Sequence, residues 1–213
     1  MKEVTLLGKY GIQNAVRKTI DLFREYPIIQ VCGMILVELS GHVRASIVKH
    51  IYRWGFFGNA VHIGKGVVTQ FKFNKYIYDN TDIRNYCKIE GKGRLIIGCN
   101  SGIGDFGIIR CSNCVRIGEN VLIGPRVFIS DSDHTFHDRQ TCIYLQPLCH
   151  GPVTIEDDVF IGANVTVLKN VHIGRGAVIG AGSVIVKNVP AYAVVVGNPG
   201  RVVKIRGQTT ESR

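Results

Sequence analysis

From Ile155 onward every sixth residue is aliphatic: Ile155, Ile161, Val167, Ile173, Ile179 and Ile185. Four positions after each stands a small or β-branched residue, in turn Val159, Val165, Val171, Ala177, Ser183 and Val189. The rhythm also runs upstream, at Ile97 and Ile103, at Ile117, Ile123 and Ile129, and more weakly at Ile77, Ile83 and Ile89. A period of six fits neither the face of an α-helix nor simple alternation. It does fit a short strand closed by a tight turn. The aliphatic residue then points inward, the small one fills a corner, and Gly or Asn takes turn conformations with positive φ. One such unit cannot bury its own apolar residue, but a stack buries a continuous column. An amphipathic helical bundle is excluded by the period. It is also excluded by glycine, 25 of 213 residues or about 12%, against a usual ~7%.

The rhythm slips by two residues between Ile89 and Ile97, and again between Ile109 and Ile117. It breaks more heavily after Ile129, because the 26 residues to Ile155 are not a multiple of six. A loop of about residues 130–152 therefore leaves the column, and it contains Asp131-Ser132-Asp133-His134-Thr135-Phe136-His137-Asp138. Loops on a rigid scaffold are favoured places for chemistry.

These repeats continue through Pro152-Val153-Thr154-Ile155 and Asp158-Val159-Phe160-Ile161-Gly162-Ala163. They close on Val196-Gly197-Asn198-Pro199-Gly200-Arg201. In this the chain resembles the left-handed parallel β-helix (hexapeptide-repeat) acyltransferases, and among them the sugar O-acetyltransferases, including those of surface polysaccharide synthesis. The resemblance covers roughly residues 60–206. It implies an all-β, left-handed parallel β-helix over residues 59–206, a homotrimer, and acetyl-CoA as co-substrate with a saccharide acceptor. A flexible tail is expected over 207–213.

Acetyl transfer to a sugar hydroxyl needs a base, because the alcohol is a poor nucleophile at neutral pH. Histidine suits the task. The resemblance places the family's catalytic histidine at His134. An acidic neighbour would orient the imidazole and stabilise its protonated form, and Asp131 and Asp133 are the candidates. Asp133 is the weaker candidate, since adjacent side chains of an extended chain point apart. His137 and Phe160 are candidates for the acceptor. For the donor, the resemblance implies a groove between subunits, with Gly162, Ala163, Gly180, Ala181, Lys187 and Arg201 in matching positions. Small corners admit a thin chain close to the backbone, and Lys187, Arg201, Lys204 and Arg206 carry charge suited to phosphates. Two other readings stay open. One is a trimeric metal-dependent hydratase of the carbonic-anhydrase-like type, although no two histidines here stand five apart, so no metal site is expected. The other is a catalytically silent structural subunit.

Residues 1–58 lack the repeat. Ile12, Val16, Ile20 and Phe23 lie at helical spacing up to Pro27, and so do Val43, Ile47, Ile51 and Trp54. The expectation is an N-terminal helical segment capping the open end of the column. Its basic face, with Arg17, Lys18, Arg24, Arg44, Lys49 and Arg53, suits a weak peripheral contact with anionic lipid at the inner face of the cytoplasmic membrane. The longest apolar run, Ile28–Val37, is too short to cross a bilayer. The net charge of +10 is not concentrated on one recognition element, which argues against nucleic acid. Seven cysteines, with Met1-Lys2-Glu3 leading into no long apolar stretch, point to free thiols in the cytoplasm.

Overall fold

A computed structural model describes residues 56–69 and 75–208. The expected helical cap, its lipid contact and most of the tail lie outside the described residues. Within them the chain forms six coils, each built from three short strands. The first sheet stacks Phe56–Phe57, Lys75–Ile77, Arg94–Ile97, Cys114–Ile117, Val153–Ile155 and His172–Ile173. The second stacks His62–Ile63, Asp82–Ile83, Gly102–Ile103, Leu122–Ile123, Phe160–Ile161 and Val178–Ile179, then takes on Ala193–Val196 and Arg201–Ile205. The third stacks Val68–Thr69, Lys88–Glu90, Ile108–Arg110, Phe128–Ser130, Thr166–Val167 and Val184–Ile185. The solenoid thus already includes Phe56–Phe57, which lie within the expected N-terminal segment 1–58.

The register explains the period. Ile77, Ile97, Ile117, Ile155 and Ile173 follow one another inside the first sheet. Ile63, Ile83, Ile103, Ile123, Ile161 and Ile179 do so inside the second. All are buried. Each residue of the column meets its counterpart one coil away, so like packs on like and every strand contributes to a single core. The two-residue slips fall at the corner between the third and first sheets, where Gly91–Gly93 and Ser112–Asn113 widen the turn. At the corner between the first and second sheets, Asn80, Asn100 and Asn120 take φ of 55°, 57° and 55°. Asparagine tolerates that conformation better than most residues. Their side-chain amides also link coil to coil, at 3.1 and 3.3 Å.

One residue of the column departs from the pattern. Lys75 stands where Leu95 and Val115 stand one and two coils on, and it is 2% exposed. Its ammonium donates to Thr69 Oγ1 at 2.5 Å. Burial pushes its pKa down to about 8, with Cys111 acting weakly the other way. Burial likewise pushes the Cys87 thiol up to about 11, and the Cys111 thiol, with the Asp131 charge adding, up to about 12. Among the described residues all six cysteines are free thiols, Cys111 and Cys114 included.

Candidate active site

The loop after the fourth coil is a hairpin. Ser132–His134 pairs antiparallel with Leu148–His150, bringing His134 opposite Leu148. Beyond it the chain is held by its own polar groups. The nearly buried Gln146 accepts from the Asp138 amide and donates to the carbonyls of Asp138 and Thr141. Asp138 in turn accepts from the Thr141 hydroxyl and the Gln140 amide, which hold its carboxyl below the usual range. The outside of this ordered loop is apolar: Phe136, Ile143, Tyr144, Leu145 and Leu148 are exposed, Tyr144 by 87%.

His134 ends the first strand of the hairpin, exposed. Asp131, expected beside it as the orienting acid, does something else. It is fully buried, and its two oxygens accept from the amides of Ser112 and Asn113, each at 2.7 Å. It is the acid that closes the widened corner of the preceding coil, and both oxygens are committed there. Asp133 Oδ1 accepts from the His134 backbone amide at 3.1 Å, and Oδ2 lies 3.5 Å from Lys169 Nζ. Asp133 therefore fixes the backbone that carries the histidine, and Lys169 ties that backbone to the fifth coil. Lys169 carried no sequence signal, since only coil stacking brings it to a residue 36 positions earlier. His137 lies further out in the loop, its ring 5.3 Å from that of Phe136.

The other positions lie elsewhere on the solenoid. Phe160 points outward from the second sheet beside Leu122, into an open groove whose opposite end holds Asp82 and Arg84. Gly162 and Gly180 are accounted for by stacking: a Cβ on Gly162 meets the Ala181 amide nitrogen at 2.7 Å, and one on Gly180 meets the Val196 side chain at 2.7 Å. Ala163 and Ala181 stand at the corner between the second and third sheets, and Arg201 begins the last strand of the second sheet. Lys187 is at a different corner. It lies two residues past the Val167–Ile185 pair, one coil beyond Lys169 in the same register. A single chain therefore separates the candidate base and Lys187 from Phe160, Ala163, Ala181 and Arg201, on opposite sides of the third sheet. Among the described residues no three His, Cys, Asp or Glu side chains gather as metal ligands, and no helix is long and apolar enough to cross a membrane.

Among the described residues, six-residue repeats stack parallel into three sheets, the second closed by one antiparallel strand, and a histidine-bearing hairpin leaves the stack; this is the architecture of a β-solenoid. Residues 152–187 match the bacterial transferase hexapeptide (six repeats) family. A Mycobacterium tuberculosis protein named as a probable acetyltransferase is 32% identical over 161 residues, 71% of this chain and 52% of that protein. The chain thus spans about half the length of that relative. A maltose O-acetyltransferase from Clostridium difficile superposes with a TM-score of 0.58 at 26% identity, covering 86% of this chain and 87% of the other. The fold is shared with a variant of AntD, an N-acyltransferase from Bacillus cereus solved with dTDP and coenzyme A. There the TM-score is 0.64 at 22% identity, over 76% of this chain and 89% of that one. Each of the three is named as an acetyl- or acyltransferase, the first as a probable one.

Proposed function

We propose that this chain is an acetyl-CoA-dependent O-acetyltransferase acting on a saccharide hydroxyl, in surface polysaccharide synthesis, with the left-handed winding of the proteins it resembles. One observation carries the reading. The regular column is interrupted once after the second coil begins, and that interruption is an internally bonded hairpin presenting an exposed histidine. His134 takes the proton of the acceptor hydroxyl as its oxygen attacks the thioester carbonyl carbon. The tetrahedral intermediate collapses with cleavage of the C–S bond, and the imidazolium returns the proton to the departing thiolate. Asp133 acts here through backbone position rather than through the ring.

The assembly is a homotrimer in this reading. An ordered loop with an apolar exterior needs a surface to cover it, and the base stands far round the coil from the groove. A second copy, related by rotation, supplies both needs, and a heterologous contact of this kind must close into a ring or run on as a fibre. The protein works in the cytoplasm, where free thiols persist, at the inner face of the membrane.

Release of free thiol from acetyl-CoA, followed against a panel of saccharides, tests the reaction. Thiol release that depends on a saccharide and survives chelation of divalent metals is expected. Activity on amino sugars alone overturns the hydroxyl assignment. Absence of thiol release in a protein that carries tightly bound metal favours the hydratase reading, and failure of acetyl-CoA to raise the melting temperature favours the silent subunit.

A further inference from the structure

The groove on the second sheet passes over one outward position that carries no side chain. Along this sheet the outward positions run from coil to coil as His62, Asp82, Gly102, Leu122, Phe160 and Val178. All carry a side chain except Gly102. The backbone there does not ask for glycine: φ is outside the left-handed range, and an added Cβ meets only the Asp82 carbonyl oxygen, at 3.8 Å. The nearby Gly98 and Gly104 are different, since a Cβ on either comes within 2.6 Å of the next coil's backbone. Glycine in a strand lowers stability and packs nothing, so the gap above Gly102 brings the fold no return.

The chemistry on either side of that gap is amphipathic. At one end Asp82 is held by two neighbours, with His62 Nδ1 at 2.8 Å from Oδ1 and Arg84 Nε donating to Oδ2 at 3.2 Å. At the other end stand the exposed side chains of Leu122 and Phe160. One flank carries Asn80 and Asn100, and the other reaches Ala163, a candidate donor position. A pyranose ring has the matching shape, with an apolar C–H face and a rim of hydroxyls.

We propose that Gly102 is the specificity-determining residue of an acceptor subsite on this sheet, opening it to a pyranose whose hydroxyls meet Asp82 and Arg84 and whose C–H face rests on Leu122 and Phe160. The proposal rests on the O-acetyltransferase reading, in which Ala163, at the edge of the same groove, is a candidate donor position.

The test compares wild type with Gly102→Val in thiol release from acetyl-CoA, using glucose, galactose, N-acetylglucosamine and maltose as acceptors. Valine suits a strand, and the Cβ has room, so the fold is retained. At least one sugar is expected to be acetylated by wild type, and its KM should rise about tenfold or more in the variant as the pocket fills. The rise in melting temperature given by acetyl-CoA and the mass in light scattering should not move. An unchanged KM overturns the proposal. A fall in mass also overturns it, because the change in KM then follows from loss of the second copy that brings His134 and not from a filled pocket. Wild type that is stabilised by acetyl-CoA yet acetylates none of the four sugars overturns the subsite and leaves the donor reading standing. Wild type that acetyl-CoA does not stabilise overturns both.

Discussion

His134 and Lys75 show how differently one ionisable side chain can be placed on this scaffold. His134 is exposed at the end of a hairpin strand, where a base can meet an incoming hydroxyl. His134→Ala should lower kcat by ~10²–10⁴-fold, the usual range for loss of a general base, while acetyl-CoA still raises the melting temperature. Near-normal turnover in that variant, with loss in His137→Ala, would move the assignment to His137. Lys75 sits inside the column instead. Its pKa in the fold is about 8 against 10.5 in the unfolded chain. Between those values the unfolded chain holds more protons, so the Lys75 contribution to stability rises with pH across the window. Cys87 and Cys111 act in the opposite sense above 9, where the fold keeps protons that the unfolded chain gives up. The lysine effect is therefore cleanest between about pH 8 and 9. Urea unfolding across that interval should show wild type gaining stability and Lys75→Met not gaining it. Parallel profiles for the two proteins would count against a lowered amine.

The hairpin is held at its base by two acids of unequal weight. Asp131 is buried and accepts from two backbone amides, so removing it leaves donors without acceptors at a closed corner. Asp131→Ala should cost about 1–3 kcal/mol in urea unfolding. Asp133 is half exposed, and its ion pair with Lys169 is 3.5 Å long, so Asp133→Ala should cost only about 0.5 kcal/mol. If Asp133 positions His134 through the backbone, its loss should show in kcat rather than in stability. Equal stability losses for the two variants would refute this division of labour. Further along, Gln146 joins Asp138 to Thr141 and keeps the loop's polar groups inside, which leaves its apolar side chains facing out.

For the whole molecule, that outward apolar loop and the separation of His134 from the groove are the two features on which the proposed trimer rests. Three chains of 23.5 kDa should scatter light as a particle of about 70 kDa, a closed cyclic trimer. Replacing Tyr144 and Leu145 together by Ser should weaken the assembly and activity in step. A monomer that keeps full turnover would rule out a shared site.

The column was legible because its information is local. A strand of two or three residues must put its aliphatic residue inward, and stacking repeats that demand every coil, so Ile155 to Ile185 spells the architecture in order. The departure of the loop was legible for the same reason, as the one long failure of the period. Asp131 was not, because its partners are the amides of Ser112 and Asn113, one coil earlier, and an acid that closes a corner reads like an acid beside a base. Lys169 and Gly102 were hidden likewise: a residue 36 positions from Asp133 becomes its neighbour only once the coils are wound, and a missing side chain becomes a cavity only between its counterparts on adjacent coils. The sequence by itself determined the repeat, the solenoid and the histidine-bearing interruption, since each depends on residues within a few positions. The tertiary structure decided what each acid binds and where the groove opens, because those contacts join residues separated by whole coils.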